Sequence, residues 1–323
     1  MKILVTGAGA VLGQGVIRSL RESSLKATVI AADPSPLSAG LYWTDRRHVI
    51  PLAKDPSFVT RVAELIDRER PDAVIPGTDV ELLHFAEHRH AWESLYRTHV
   101  VVSSPEVVRI ADDKYLTFRF LKDKGFAVPE SCLPGEEGAL VERIGFPLIV
   151  KPRVGARSVG VVKVHDRAGL ERAIAEGDGV VIQECVATDS DEYTAGALVF
   201  DGKCEASIVM RRDLRDGNTY RAYVDRYPEL DAQVRRMAEA LGAHGPVNFQ
   251  FRVDREGRAK VFEINGRFSG TTPFRMRAGF NEVEMTLRRL VLGEPIEQPE
   301  IRPMTILRHF EETVVPAGEL VAG

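Results

Sequence analysis

The chain of 323 residues has only three cysteines, and it has no excess of basic residues. Cys132, Cys185 and Cys204 lack the close pairing typical of a zinc site, and so few thiols favour a reducing compartment over a disulfide framework. Lysine and arginine number 43 against 47 aspartate and glutamate, which gives a net charge of −4. Binding to nucleic acid therefore has no electrostatic support.

Long hydrophobic runs are also missing. No apolar stretch approaches the ~20 residues of a membrane-spanning helix. Residues 1–6 read as a short strand rather than as the charged and then apolar start of a signal peptide. We therefore expect a cytoplasmic protein without a membrane partner. Apolar residues make up 44% of the chain, enough for more than one packed domain.

The pattern of predicted strands and helices changes near residue 110. Before it, short apolar runs at 3–5, 28–31, 73–75 and 100–102 alternate with helical patterns, which predicts a parallel sheet covered by helices. After it, alternating strands and the two-residue turn signal Asp201-Gly202 predict α+β units with antiparallel strands. The fold class is therefore α/β followed by α+β.

The most informative segment is the predicted strand 261–267. Strand side chains alternate between faces, so Glu263, Asn265 and Arg267 share one face. The apolar positions 261, 262 and 264 are expected to serve the other face or the core. If a four-residue turn joins this strand to the predicted strand 247–253, Gln250 lies across from Glu263 and Asn248 across from Asn265.

This polar face has the chemistry of a metal–phosphate site. Carboxylate and carboxamide oxygens suit Mg²⁺, and arginine suits phosphate oxygens. The alternative is a solvated sheet face, but such faces usually carry Lys, Glu and Thr rather than two carboxamides.

A lysine and a glycine-containing turn form a second candidate site. Lys151 ends an apolar strand, from which it can reach nucleotide phosphates, and the backbone N–H groups of the next turn can fold over them. No Walker motif occurs, and a surface lysine before an ordinary turn is the alternative. The candidate residues of this turn are Gly155, Ala156, Arg157, Ser158 and Gly160.

The first glycine-rich loop suggests a different function. Gly7, Gly9 and Gly13 follow the first strand and Asp33 ends the second, as in dinucleotide-binding domains. The spacing is closer to that of short-chain dehydrogenases, but no tyrosine here has a lysine four residues on. An NAD(P)-dependent reductase remains an alternative.

Taken in order, these motifs resemble the ATP-grasp superfamily, and most closely the stand-alone ligases related to the large subunit of carbamoyl-phosphate synthetase. The resemblance covers essentially the whole chain. It implies a Rossmann-like pre-ATP-grasp domain at 1–110, a small lobe or lid at 111–187 and a large lobe with the metal site at 188–323.

The resemblance also implies roles for individual residues. Lys114 and Lys151 correspond to the two phosphate lysines, 155–160 to the mobile glycine-rich loop, and Arg267 to the arginine beside the reacting phosphoryl group. Gln183, Glu184, Cys185 and Val186 correspond to the adenine hinge, Glu192 to an acid on the ribose or near the phosphates, and Gln250, Glu263 and Asn265 to the metal ligands.

The implied activity is ATP-dependent ligation of a carboxylate to an amine through an acyl phosphate, with ADP and phosphate released. The implied cofactors are ATP and one or two Mg²⁺, with Mn²⁺ as a substitute. The neutral Gln250 leaves less charge for a second metal, since many members carry an acid there. Homodimers are common among such ligases. A catalytically idle ATP-binding regulator is the other alternative.

Substrate groups are predicted from charge. Arginine forks suit carboxylates, and two clusters qualify: Arg211 with Arg212 and Arg215, and Arg275 with Arg277. Arg275 is favoured because it closely follows the metal strand, although most such arginines serve solubility. Asp79 and Glu81, at the end of a parallel strand, are candidates for an ammonium group, with helix capping as the alternative.

Overall fold

The computed structural model describes residues 1–44, 46–155, 159–186 and 192–321. Three sheets follow one another within these residues, one parallel and two antiparallel. The predicted fold class is thus confirmed. None of the described helices is long and apolar enough to cross a membrane.

The first sheet is parallel, has the order β3-β2-β1-β4-β5, and is covered by helices. Its central strands are short β-branched and aliphatic runs that are almost wholly buried, as expected when both faces of a sheet are covered. The elements are β1 (Lys2–Val5), α1 (Val11–Arg21), β2 (Thr28–Asp33), β3 (Arg46–Val49), α2 (Phe58–Glu69), β4 (Ala73–Ile75), α3 (Leu82–Tyr96), β5 (His99–Val100) and α4 (Pro105–Asp112).

The second sheet is antiparallel, has four strands in the order β6-β9-β7-β8, and carries two helices on its own small core. Helix α5 leads into it, and Asp113 caps that helix by accepting from the N–H groups of Tyr115 and Leu116. The elements are α5 (Lys114–Asp123), β6 (Ser131–Cys132), α6 (Glu137–Ile144), β7 (Leu148–Pro152), β8 (Val162–Val164), α7 (Arg167–Glu176) and β9 (Val180–Glu184).

The third sheet is antiparallel and has six strands in the order β14-β13-β10-β11-β12-β15. Helix α8 packs on β10 and β11 through apolar residues spaced three and four apart. The elements are β10 (Glu192–Phe200), β11 (Lys203–Arg215), β12 (Asn218–Val224), α8 (Pro228–Leu241), β13 (Gly245–Val253), β14 (Ala259–Asn265), α9 (Thr272–Arg277), α10 (Glu282–Leu287) and β15 (Met304–Leu307).

A β-bulge in the β13–β14 hairpin restores the predicted register at the site. The loop is one residue longer than predicted, because Val253 pairs with Ala259. The register shifts by one after Phe251, so Gln250 pairs with Glu263 and Asn248 with Asn265, as predicted. The prediction for position 262 was wrong: Phe262 lines the cleft described below rather than the core.

A second bulge, between Leu198 and Val199, decides which arginine of β11 faces inward. Counting back from the Asp201-Gly202 turn without a bulge places Arg211 on the face of Thr194. With the bulge, Thr194 pairs with Met210, and Arg212 takes that face instead.

Candidate active site

A cleft of about 380 Å³ lies between the four-stranded and the six-stranded sheet. The sequence-predicted residues that line it are Lys114, Lys151, Gly155, Gln183, Glu184, Cys185, Val186, Glu192, Gln250 and Glu263. Ala156, Arg157 and Ser158 lie outside the described residues. Gly160 adopts a φ of 73° beside Pro152, where a Cβ would come within 2.9 Å of the proline ring.

Lys151 is buried at the centre of this cleft. Its Nζ donates to Gln183 Oε1 at 2.8 Å and to the carbonyl of Phe262 at 3.3 Å. Burial lowers the pKa of Lys151 to about 8, against the opposing attraction of Glu263. An ammonium group held this way is a ready partner for an anion that enters the cleft.

Lys114 and Glu184 both form hydrogen bonds with other groups of the protein. Lys114, at the start of α5, donates from Nζ to the carbonyl of Gly155 at 2.8 Å. The Glu184 carboxylate accepts from Lys260 at 2.6 and 2.8 Å and from the N–H of Glu130 at 3.0 Å. The N–H of Glu184 donates to the carbonyl of Glu130.

The predicted metal ligands lie together on β13 and β14. Glu263 Oε1 accepts from Gln250 Nε2 at 3.0 Å and from Asn265 Nδ2 at 3.2 Å. The two amide oxygens bind arginines, Gln250 Oε1 to Arg212 at 2.5 Å and Asn265 Oδ1 to Arg267 at 2.9 Å. Three oxygen-bearing side chains thus converge here with one formal negative charge.

Arg212 is a site residue that the sequence reasoning placed in a cluster but did not single out. It is buried beside the cleft, where it donates to Glu192 at 2.7 Å and to Gln250. Glu192 also accepts from Arg252 at 2.9 Å. The acid expected at a ribose or phosphate therefore orients two guanidinium groups at the cleft wall.

A second cavity of about 620 Å³ continues from this cleft toward the parallel sheet, with Lys114, Gln250 and Glu263 on both linings. Arg267 lines it and makes a two-pronged ion pair with Asp79, at 2.7 and 3.0 Å. Burial would raise the pKa of Asp79, but the attraction and hydrogen bonds of Arg267 hold it below its ordinary value.

Glu81 does not reach this cavity. Its carboxylate accepts from Thr6 Oγ1 at 3.0 Å and from the N–H of Thr78 at 3.1 Å, in a capping box with Thr78. Burial raises the pKa of Glu81 to about 7. The helix-capping alternative therefore describes Glu81, whereas the Asp79 carboxylate faces Arg267.

The arginines predicted to bind substrate lie elsewhere. Arg275 is fully buried and paired with Glu282 at 3.0 Å, beneath Gly196, where any Cβ would clash with its guanidinium. Arg277 pairs with Glu22 on the surface. Arg211 stacks over Tyr223, 3.9 Å from the ring centre, and neither cavity includes it. The buried ion pair corrects the prediction that Arg275 binds a substrate, and Arg211 and Arg277 lie outside both cavity linings.

The first glycine-rich loop closes on itself. Asp33 accepts from the N–H of Gly9 at 2.7 Å, from the N–H of Ser35 at 3.0 Å and from Ser38 Oγ at 2.5 Å. Ser38 Oγ lies 2.2 Å from the position of a Cβ on Gly9. Asp33, the acid that would bind the ribose in the reductase alternative, is therefore occupied by hydrogen bonds within its own loop region.

Models of two protein families match separate segments of this chain. A family model described as "ATP-grasp in the biosynthetic pathway with Ter operon" matches residues 182–313. A second model, described as "PylC-like, N-terminal domain", matches residues 3–100. The C-terminal part of the chain is therefore similar to ATP-grasp domains, and the part before it is similar to PylC-like N-terminal domains.

Individual relatives agree with this assignment. The carbamoyl phosphate synthase large chain of Methanosarcina barkeri is 26% identical over 307 residues, which cover 84% of this chain but 28% of the relative. The chain thus spans less than a third of that relative's length.

Two solved structures share the fold. The N5-carboxyaminoimidazole synthetase of Staphylococcus aureus, complexed with ADP, has a TM-score of 0.74 at 16% identity and covers 93% of this chain and 79% of its own. The biotin carboxylase domain of Hydrogenobacter thermophilus 2-oxoglutarate carboxylase, with MgADP and bicarbonate, has a TM-score of 0.73 at 19% identity, over 94% and 72% of the two chains.

Proposed function

We propose that this chain is an ATP-dependent, ADP-forming ligase that activates a carboxylate as an acyl phosphate and joins it to an amine. The observation that carries the proposal is the convergence of Lys151 with Glu263, Gln250 and Asn265 at the meeting point of two cavities, beside Arg267. One cavity suits a nucleotide, and the other leaves room for the reacting acid and amine.

The nucleotide is expected in the smaller cleft, with its phosphates toward Lys114 and Lys151. Both ammonium groups now bind backbone or amide oxygens, which an incoming phosphate oxygen can replace. The adenine would lie at the hinge near Cys185 and Val186. It would be bound there by backbone groups, because the Glu184 carboxylate is committed to Lys260.

The donor set around Glu263 fits Mg²⁺. All its donors are oxygens or can present oxygens, as Mg²⁺ prefers, and the low protein charge matches a metal that also binds phosphates. Glu263 would hold the ion, and the amides of Gln250 and Asn265 would turn their oxygens toward it. The metal would neutralise charge on the transferring phosphoryl group.

The protein's own task is then positioning and exclusion of water. Arg267 lines the second cavity, held by Asp79 and Asn265, where it can meet charge that develops on a transferring phosphoryl group. Enclosure of the reacting groups within the cleft would keep water from the acyl phosphate. The proposal also includes three domains, at 1–110, 111–187 and 188–323. It further includes assembly as a homodimer.

An ADP-release assay tests this function. The chain is incubated with MgATP and a panel of small carboxylic acids crossed with amines and amino acids, and ADP is followed by a coupled enzyme. The proposal expects release that needs one acid and one amine together. ATP binding without turnover across the panel would favour the regulator. Oxidation of added NADH or NADPH by the chain alone, without ADP release, would favour the reductase.

A further inference from the structure

The second cavity contains a guanidinium group without an acidic partner among the described residues. Arg308, just after β15, lines this cavity, donates to the carbonyl of Gly270, and lies 4.8 Å from the centre of the Phe274 ring. Burial lowers the pKa of Arg308, and the nearby charge of Arg18 lowers it further. A charge partly removed from water in this way gains most from a bound anion.

The other arginines of the cavity are different, because each already has a carboxylate 2.7 Å away. These pairs are Arg109 with Glu87, Arg212 with Glu192, and Arg267 with Asp79. Lys114 also lines this cavity and binds only the Gly155 carbonyl, but the proposed function already assigns it to the phosphates. Arg308 is therefore the cation of this lining, within the described residues, that is left to bind a second anionic group.

Apolar side chains form part of the same cavity's lining on the side of the parallel sheet. Val11, Leu12, Val80 and Leu83 line it, and Val80 is 73% exposed. A ligand that covers such side chains gains from the apolar area removed from water. The cavity thus combines an arginine without an acidic partner with apolar side chains, which suits a ligand that has an anionic group and an apolar body.

We propose that Arg308 binds the free carboxylate of the amine substrate, so that this substrate is an amino acid with an apolar side chain. The inference rests on the proposed ligase function. In the proposed function the reacting carboxylate lies beside the phosphates and the Mg²⁺ at Glu263, so an anion at Arg308 is a second group that does not react.

The ammonium group of the amino acid first loses one proton to water. The neutral amino nitrogen then attacks the acyl carbon, and a C–N bond forms. The C–O bond to phosphate breaks, and the leaving phosphate takes the proton of the nitrogen. The product is an amide that retains the carboxylate of the amino acid, still bound at Arg308.

Titration calorimetry tests the site without turnover. With Mg²⁺ and a non-hydrolysable ATP analogue present, each apolar amino acid is compared with its carboxamide. We expect the amide to bind roughly 10- to 100-fold more weakly, the scale of a lost charged hydrogen bond. Arg308→Ala should abolish this preference, Arg308→Lys should retain part of it, and Arg302→Ala, at an exposed arginine nearby, should leave it unchanged.

Equal binding of acids and amides, a preference that survives in Arg308→Ala, or no binding by any apolar amino acid would overturn the inference. ADP release separates this failure from failure of the ligase function. If amines without a carboxylate drive ADP release equally well, the ligase proposal stands and the proposed role of Arg308 is wrong. A carboxylate preference in calorimetry without any ADP release keeps the Arg308 site and contradicts the ligase.

Discussion

At the residue scale, the charged groups of the candidate site are held in place before any ligand binds. Arg267 has three different partners, Asp79, Asn265 and the carbonyl of Phe268. Lys151 is fixed between Gln183 and Phe262. Preorganised groups of this kind pay little reorganisation energy when charge develops, which is the usual basis of phosphoryl-transfer catalysis.

Replacing Arg267 should therefore affect chemistry more than binding. In Arg267→Ala we expect turnover to fall by roughly 10²-fold or more, the scale of one lost transition-state donor, while MgATP still binds. The measurement is ADP release under saturating substrates beside calorimetric titration of MgATP. Wild-type turnover in this variant would exclude Arg267 from the mechanism.

Lys151 gives a pH dependence whose sign follows from its lowered pKa. With the pKa at about 8 in the free protein, the group is charged below pH 8 and loses its proton above it. Bound phosphate favours the charged form, so MgATP binding above pH 8 must take up a proton and become weaker.

This uptake is measured by calorimetry at pH 7 and pH 9 in buffers of different ionisation heat. We expect uptake at the higher pH, and its loss in Lys151→Arg, whose guanidinium stays charged. Affinity and proton balance that are the same at both pH values in the wild type would contradict the proposed role of Lys151.

At the element scale, two β-bulges separate what the sequence could predict from what it could not. Side-chain alternation and turn chemistry identified the β13–β14 hairpin and its polar face. The bulge at Gln250 corrected a loop that was counted one residue short. The bulge between Leu198 and Val199 decides which member of the arginine cluster faces the site, because it turns Arg212 rather than Arg211 toward the face of Thr194. Bulges leave no clear mark in a single sequence, since they depend on sheet twist and packing.

Burial is the other property that local patterns could not supply. Arg275 follows the metal strand closely, yet it lies under β10 and β13 with Glu282, Asn248 and Thr194 as partners. Only the packing of α9 and α10 against the sheet determines this position. Its role is therefore to join helices to the sheet that carries the site.

Loss of Arg275 should cost stability directly. Arg275→Ala leaves Glu282 buried without its cation, which typically costs about 3–5 kcal/mol. Denaturant unfolding measures the change, and Arg277→Ala is the matched control, because its pair with Glu22 is exposed and worth about 1 kcal/mol at most. If Arg275 bound a substrate, Arg275→Ala would instead raise KM and leave the free energy of unfolding unchanged.

At the scale of the whole molecule, the proposed site needs elements from every part of the chain. Asp79 follows β4 of the parallel sheet, Lys114 starts α5, Lys151 lies on the four-stranded sheet, and the six-stranded sheet supplies Glu263 with Arg267 just after its strand β14. The resemblance to ATP-grasp ligases implied that Lys114, Lys151, Glu263 and Arg267 belong to one site. The pairing of Asp79 with Arg267 across 188 residues could not be predicted, because no local rule connects them.

That pairing predicts a positioning role for Asp79. In Asp79→Asn we expect kcat to fall by about 10-fold or more, because Arg267 loses its charged anchor and small misplacements are costly. The KM for ATP should change little, and Asp79→Glu should recover part of the rate. A change confined to KM for the amine would instead support the ammonium-binding prediction for Asp79.

The central claim is that the cleft between the two antiparallel sheets binds ATP together with Mg²⁺. Titration of ATP into the protein, with and without Mg²⁺, tests it most directly when Lys151→Met and Glu263→Gln are measured beside the wild type. The account predicts one Mg²⁺-dependent site that each variant weakens by roughly 10-fold or more, the scale of a lost charged contact. No binding heat in the wild type, or equal affinity in all three proteins, would contradict it.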